Sequence, residues 1–162
     1  MGQGIPEVVR GARSRRTLLV AGTVAAVAVV PSAALATPGS GVSGTVLAKG
    51  TSAGTLRIKP PKGETDVVVR TITIAPGGST GWHHHPGPLV AVVQAGTLTR
   101  TLDDCSVEVT SAGQAFVEPS GGKHVHVGRN LGTEPVVLYV TYLLPKGAPF
   151  SVDEPAPDCA QG

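Results

Sequence analysis

Gly77-Gly78-Ser79-Thr80-Gly81-Trp82-His83-His84-His85-Pro86-Gly87-Pro88 sets three of the chain's five histidines between glycines and prolines. The other two, His124 and His126, lie further downstream with one residue between them. In a β-strand, side chains at i and i+2 face the same way. His83 with His85, and His124 with His126, are therefore two same-face pairs that a folded sheet can bring together. Neutral imidazole is a common ligand for Zn, Cu, Fe and Ni. The pattern predicts one site for a divalent metal, with Fe, Mn, Ni, Cu and Zn all open.

The start of the 162-residue chain reads as a targeting segment. Ser14-Arg15-Arg16-Thr17-Leu18-Leu19 has a twin-arginine pattern, and an uncharged run follows from Leu18 to Val30. Ala34-Leu35-Ala36 supplies a small-residue cleavage site before Thr37. The apolar run is shorter than the roughly 20 residues a spanning helix needs, so export with cleavage is expected rather than a membrane anchor. No cysteine follows the run to take a lipid. The expectation is a secreted or otherwise extracytoplasmic protein of bacterial type, meeting the membrane only through the signal peptide during export.

Cleavage also removes Arg10, Arg13, Arg15 and Arg16 against Glu7 alone. Lys+Arg then falls from 13 to 9 and Asp+Glu from 11 to 10, a net charge of −1. The basic excess belongs to the leader, and no basic patch remains to suggest nucleic acid.

The remainder is rich in Gly, Pro, Val and Thr and poor in aromatics, a balance that favours an all-β domain with many tight turns. Strands are expected over 42–47, 55–59, 66–75, 89–94, 97–102, 105–110, 115–118, 124–128 and 135–144. Ala95-Gly96 between two of them reads as a hairpin. The 66–75 segment alternates, with Val67, Val69, Thr71 and Thr73 on one face and Val68, Arg70, Ile72 and Ile74 on the other. No helical period of useful length follows the leader, which leaves a sandwich or barrel. Cys105 and Cys159 are the only cysteines, and in an oxidising compartment an even pair reads first as a disulfide. The alternative is a thiolate ligand.

Gly77-x5-His83-x-His85-x3-Leu89-x6-Gly96 and Gly113-x5-Pro119-x-Gly121, followed by His126-x3-Asn130, resemble the two motifs of the cupin superfamily. The Trp82–Pro88 segment and the proline-rich tail ending in a cysteine also look like small secreted bacterial cupins. The resemblance implies a double-stranded β-helix, or jelly-roll barrel, whose motif strands converge on one metal. The chain then divides into a signal peptide (1–36), N-terminal strands and turns (37–66), the barrel (67–144) and a Pro-rich tail (145–162). It implies His83, His85 and His126 as ligands. His124 is a further candidate, as a fourth ligand or a proton acceptor.

Two departures stand out. Where the family carries a glutamate, this chain has Leu89, which cannot ligate. The gap from Gly121 to His126 is longer than usual, whereas His124 would restore it but lose the asparagine. Without the glutamate, three neutral imidazoles leave the full charge of a divalent ion in the pocket and no obvious general base. Trp82, Leu89, Val92 and Leu138, with Val90, are expected to line an apolar pocket for a small-molecule ligand or substrate. Trp82 reads as a rim packing residue or a stacking platform. His84 and Glu118 read as surface, and Asn130 as a residue that orients a loop. Two functions remain open: a metal-dependent enzyme, with dioxygenase chemistry implied by three-His relatives, or a non-catalytic barrel without metal. Small cupins often pair through their sheets, which leaves the oligomeric state open between a monomer and a homodimer.

Overall fold

In the computed structural model the described residues are 1–2 and 40–160. Apart from its first two residues, the expected signal peptide and its cleavage site lie outside them. The chain divides into units of residues 1–42 and 43–162. The few described residues of the first unit are exposed, and every strand belongs to the second.

Ten strands form among the described residues: β1 (Thr51–Ser52), β2 (Thr65–Ile74), β3 (His83–His84), β4 (Leu89–Ala95), β5 (Thr97–Leu102), β6 (Val107–Ser111), β7 (Gln114–Glu118), β8 (His126–Arg129), β9 (Val136–Pro145) and β10 (Val152–Asp153). They build two five-stranded sheets, ordered β1-β7-β4-β9-β2 and β10-β3-β8-β5-β6. All pairings are antiparallel except β1 with β7. This is the all-β, double-stranded β-helix expected from the motifs.

Alternation decides what each sheet buries. β9 turns Val136, Leu138, Val140, Tyr142 and Leu144 inward, and β4 turns Leu89, Ala91 and Val93 to meet them. On β2 the second of the two alternating faces turns inward: Ile74 is buried, and Val68 and Ile72 pack against the core, while Val67 and Val69 face outward. Each large aliphatic side chain buried this way contributes roughly 1.5–3 kcal/mol.

Three local expectations fail. Ala95-Gly96 does not close a hairpin, because β4 and β5 lie in different sheets. Gly96, at φ 75°, instead turns the corner between them, and a Cβ there would stand 2.7 Å from the Pro135 carbonyl oxygen. A tight turn between two alternating runs looks the same in sequence whether the chain folds back or crosses to the facing sheet. The strands expected over 42–47 and 55–59 do not form, and β1 lies between them. Val42, Val46 and Leu47 are exposed: runs this short, flanked by glycines, bury nothing without a partner strand. The tail is not merely extended. It supplies β10 and a short 3-10 turn, Asp158–Ala160.

Gly87 links the histidine segment to β4 at a point where two backbones nearly touch. A Cβ added there would collide with the Leu143 carbonyl oxygen. Gly87→Ala is therefore expected to destabilise the protein by at least the ~1–3 kcal/mol typical of overpacking, read as a lowered denaturation midpoint. An unchanged midpoint would contradict this close approach.

Candidate metal centre

His83, on β3, and His126, on β8, are paired directly across the two strands, and both are buried. His85 follows β3 and is buried as well. One nitrogen from each of the three rings lies within 4.8 Å of the others. His124 stays outside this group. It is exposed, and it serves the site through its backbone carbonyl rather than its ring.

The proton positions on the three rings follow from their partners. His83 Nδ1 donates to the Gly81 carbonyl at 2.9 Å, His85 Nδ1 to the Phe150 carbonyl at 2.6 Å, and His126 Nδ1 to the His124 carbonyl at 2.8 Å. A carbonyl can only accept, so each Nδ1 carries a proton and each neutral ring presents Nε2 as a lone pair. Such second contacts fix the tautomer and orientation of metal-ligating histidines.

A carboxylate faces these lone pairs. Glu118, at the end of β7, is buried, and its Oε2 lies 3.0 Å from His85 Nε2 and 3.2 Å from His126 Nε2. The surface position expected for Glu118 is overturned by register: its cross-strand partner on β4 is Leu89. Directly opposite residues of an antiparallel pair share a face, with Cβ atoms roughly 4.5–5.5 Å apart. The carboxylate absent at 89 thus enters the barrel from the neighbouring strand at the same level.

Arg100 of β5 secures that carboxylate. Its buried guanidinium donates from Nη1 to Glu118 Oε1 at 3.4 Å, pairs through Nη2 with Glu108, and stacks 3.7 Å over the centre of the Phe116 ring. Oε1 is engaged outward and Oε2 is turned toward the imidazoles. Burial opposes charge on Glu118, but hydrogen bonds and charge from His126 and His85 outweigh it and hold the carboxyl well below the usual range. Burial likewise opposes charge on His126, yet its hydrogen bond and attraction to Glu118 raise its pKa above 6.5. For His83 burial prevails over the Gly81 hydrogen bond and lowers the pKa below 6.5.

A carboxylate oxygen and two Nε2 lone pairs facing one another require a positive charge between them. A proton or a metal ion can supply it. His126 Nε2 is buried and faces Glu118 Oε2 at 3.2 Å, with no other polar partner. The donor set fits a divalent transition ion by type as well, being three imidazoles and one carboxylate.

Two spaces adjoin the cluster. The inner one, about 50 Å³, is walled mainly by apolar side chains including Leu89, Leu98, Phe116 and Leu138. The outer one, about 230 Å³, is bounded by Arg100, Leu102, Glu108, Pro119 and His124 among others. Glu118 and His126 border both. Of the expected pocket residues, Leu89 and Leu138 line the inner space. Val92, with Val90, sits on the opposite face of β4 from Leu89 and Ala91 and does not. Trp82 borders neither of these spaces; it lies under the Arg129 guanidinium, 5.8 Å from the ring centre. His84 is half-buried and donates from Nδ1 to Glu154 at 2.8 Å, so it is not ordinary surface. Asn130 does orient its loop, donating from Nδ2 to the Ile74 and Glu134 carbonyls and accepting from Gly132 N. Cys105 and Cys159 form a disulfide, which removes both as ligands.

Residues 70–142 match the family model described as cupin domain. The barrel is a cupin domain. Solved structures similar to it include a Klebsiella pneumoniae protein with a double-stranded β-helix domain, at 26% identity over 60% of this chain and 91% of that one, TM-score 0.46. A dimethylsulfoniopropionate (DMSP) lyase from Ruegeria pomeroyi is similar at 18% identity over 54% of this chain and 42% of that one, TM-score 0.47. An oxalate oxidase is similar at 26% identity over 47% and 41%, TM-score 0.42. The cupin chain spans less than half of these two enzymes. Comparison with curated proteins finds no match.

The signs of the shifts make the site's titration testable. In the metal-free protein the His126 contribution to stability is fully present below pH 6.5 and is lost as pH rises through its raised pKa. His83 acts oppositely: protonating it costs stability as pH falls below 6.5 toward its lowered pKa. The Glu118 contribution is present above its ordinary value of 4.5 and is lost only as pH falls through its much lower folded value. NMR titration of the imidazole C–H signals should place the His126 midpoint above 6.5 and that of His83 below it. The reverse order would refute this electrostatic assignment.

Proposed function

We propose that this cupin binds one divalent metal ion through Nε2 of His83, His85 and His126 with Oε2 of Glu118 as an anionic fourth donor. A small molecule would reach it from the outer cavity. The observation that carries this reading is a buried carboxylate oxygen set against two imidazole nitrogens whose protons sit on the far side of each ring. Three neutral imidazoles and one carboxylate reduce the net charge of a divalent centre to +1. When bound, the ion supplies Lewis acidity toward an oxygen-bearing ligand, or redox chemistry if it is Fe, Mn or Cu.

The chain's own groups do the rest. The Gly81, Phe150 and His124 carbonyls hold the three rings, Arg100 holds Glu118, and apolar side chains close the inner side against water. An outer cavity of about 230 Å³ suits a substrate of few heavy atoms. The inner apolar space of about 50 Å³ suits a small uncharged co-substrate, which supports an oxygenase-type enzyme as the finer reading. The disulfide supports work in an oxidising compartment, in keeping with export through residues 1–36.

A second reading has an observation of its own. Glu118 Oε2 lies 3.0 and 3.2 Å from the His85 and His126 Nε2 atoms, so a proton held there can satisfy the carboxylate without metal, leaving a non-catalytic barrel that binds a small ligand.

Elemental analysis of the protein purified without chelator separates the two. Near one equivalent of Fe, Mn, Ni, Cu or Zn is expected, lost in His83→Ala/His126→Ala. Glu118→Gln should weaken metal binding by about tenfold or more. Because Leu89 and Glu118 are cross-strand partners, Leu89→Glu should restore affinity in the Glu118→Gln background. No metal in the native protein, and none taken up on addition, would leave the metal-free barrel. Full affinity in Glu118→Gln would remove Glu118 from the ligand set.

A further inference from the structure

We propose that the C-terminal strap, residues 148–160, positions the metal ligand His85, and that the Cys105–Cys159 disulfide controls how firmly it does so. This rests on the metal site proposed above and concerns its regulation. β3, the strand that carries His83, meets β8 at a single residue pair, His83 with His126. On its other side only β10 supports it, with Val152 opposite His84 and Asp153 opposite His83. Without the strap, the strand bearing the ligands becomes a two-residue edge held at one point.

Further contacts join the strap to the site. The Phe150 carbonyl accepts the His85 Nδ1 proton at 2.6 Å, so the strap sets the ring's tautomer and aim. The Phe150 side chain lies edge-on to Tyr142, with centroids 5.3 Å apart, and beneath the Arg70 guanidinium at 4.1 Å. Tyr142 in turn packs against the His85 ring. Glu154 bonds twice to the same segment: its backbone N–H donates to the Trp82 carbonyl at 2.9 Å, and its carboxylate accepts from His84 Nδ1 at 2.8 Å.

The far end of the strap is covalently tied. Cys159 bonds to Cys105 in the turn between β5 and β6, across a sequence separation of 54 residues. Cys159 is exposed and Cys105 partly so, which leaves the bond open to a thiol. Two thiols reduce it: one attacks a sulfur to form a mixed disulfide and the second releases it. The products are two protein thiols and one oxidised reductant disulfide, with two electrons and two protons passing to the protein. With the tie cut, β10 and the Phe150 carbonyl are held by noncovalent contacts alone. His85 is freer to rotate and the metal leaves faster.

The test uses the full-length chain loaded with Co(II), whose visible spectrum reports the ligand set. Transfer of cobalt to a chelator is timed for the oxidised protein, for Cys105→Ser/Cys159→Ser, and for the oxidised holoprotein reduced in situ with a phosphine. The last begins from folded protein even if the double variant does not fold. The expected result is a shifted spectrum and cobalt release about 10–100-fold faster once the bond is absent, reversed when the reduced protein is reoxidised. In a His85→Ala background, loss of the disulfide should cause no further acceleration, because the strap acts through that ring. Equal release in all disulfide states, or a full effect without His85, would overturn the positioning role while leaving the metal site standing. Failure of the oxidised protein to take up cobalt would instead refute the metal site, and the strap's role with it.

Discussion

The centre depends on the ionised carboxylate of Glu118, held inside the barrel between Arg100 and two imidazoles. A buried carboxylate alone costs several kcal/mol, and nothing apolar nearby offsets it. Arg100 compensates on Oε1, and positive charge near Oε2 compensates on the other side. The second requirement gives the cluster its chemistry. Because all three rings spend their Nδ1 protons on backbone carbonyls, the charge cannot come from the neutral rings themselves.

The rest of the barrel holds that arrangement still. β4, β7 and β9 pair in one sheet that sets Leu89, Glu118 and Tyr142 side by side. The facing sheet supplies His83 and His126 across one β3–β8 pair, and Arg100 from β5. Two of the carbonyl partners, Gly81 and His124, lie two residues from the histidines they hold, so local chain geometry suffices. The third, Phe150, lies 65 residues from His85 in sequence, and only a folded tail can deliver it. The cluster therefore has two histidines oriented locally and one oriented at long range.

Much of this was legible in residues. The His-x-His spacing and its flanking glycines announce a strand whose same-face pair points inward, and the nearly continuous apolar run from Val136 to Leu144 marks β9. His124 and His126 were harder to separate, since both occupy one face of a short extended run. The strand begins at His126, and His124 lies in the preceding loop, tied by its N–H to the Gly121 carbonyl. Val92 was misjudged as lining because an apolar run gives no sign of which alternate residues turn inward. Leu89, Ala91 and Val93 do so because β9 offers them a covered face.

The amino-acid sequence by itself determined β2, the strands β4 to β9 and the imidazole donors, because apolar runs, glycine placement and i, i+2 spacing are local properties of a chain. Only the tertiary structure decided the acidic donor, the corner at Gly96 and the role of the tail. Glu118 stands beside Leu89 through cross-strand register. Gly96 turns between sheets rather than within one, because the partners of β4 and β5 are distant in sequence. The Phe150 carbonyl reaches His85 because the tail pairs with β3 and is tied at Cys105. Each of these depends on residues far apart in the chain, and no local pattern encodes which of them will meet.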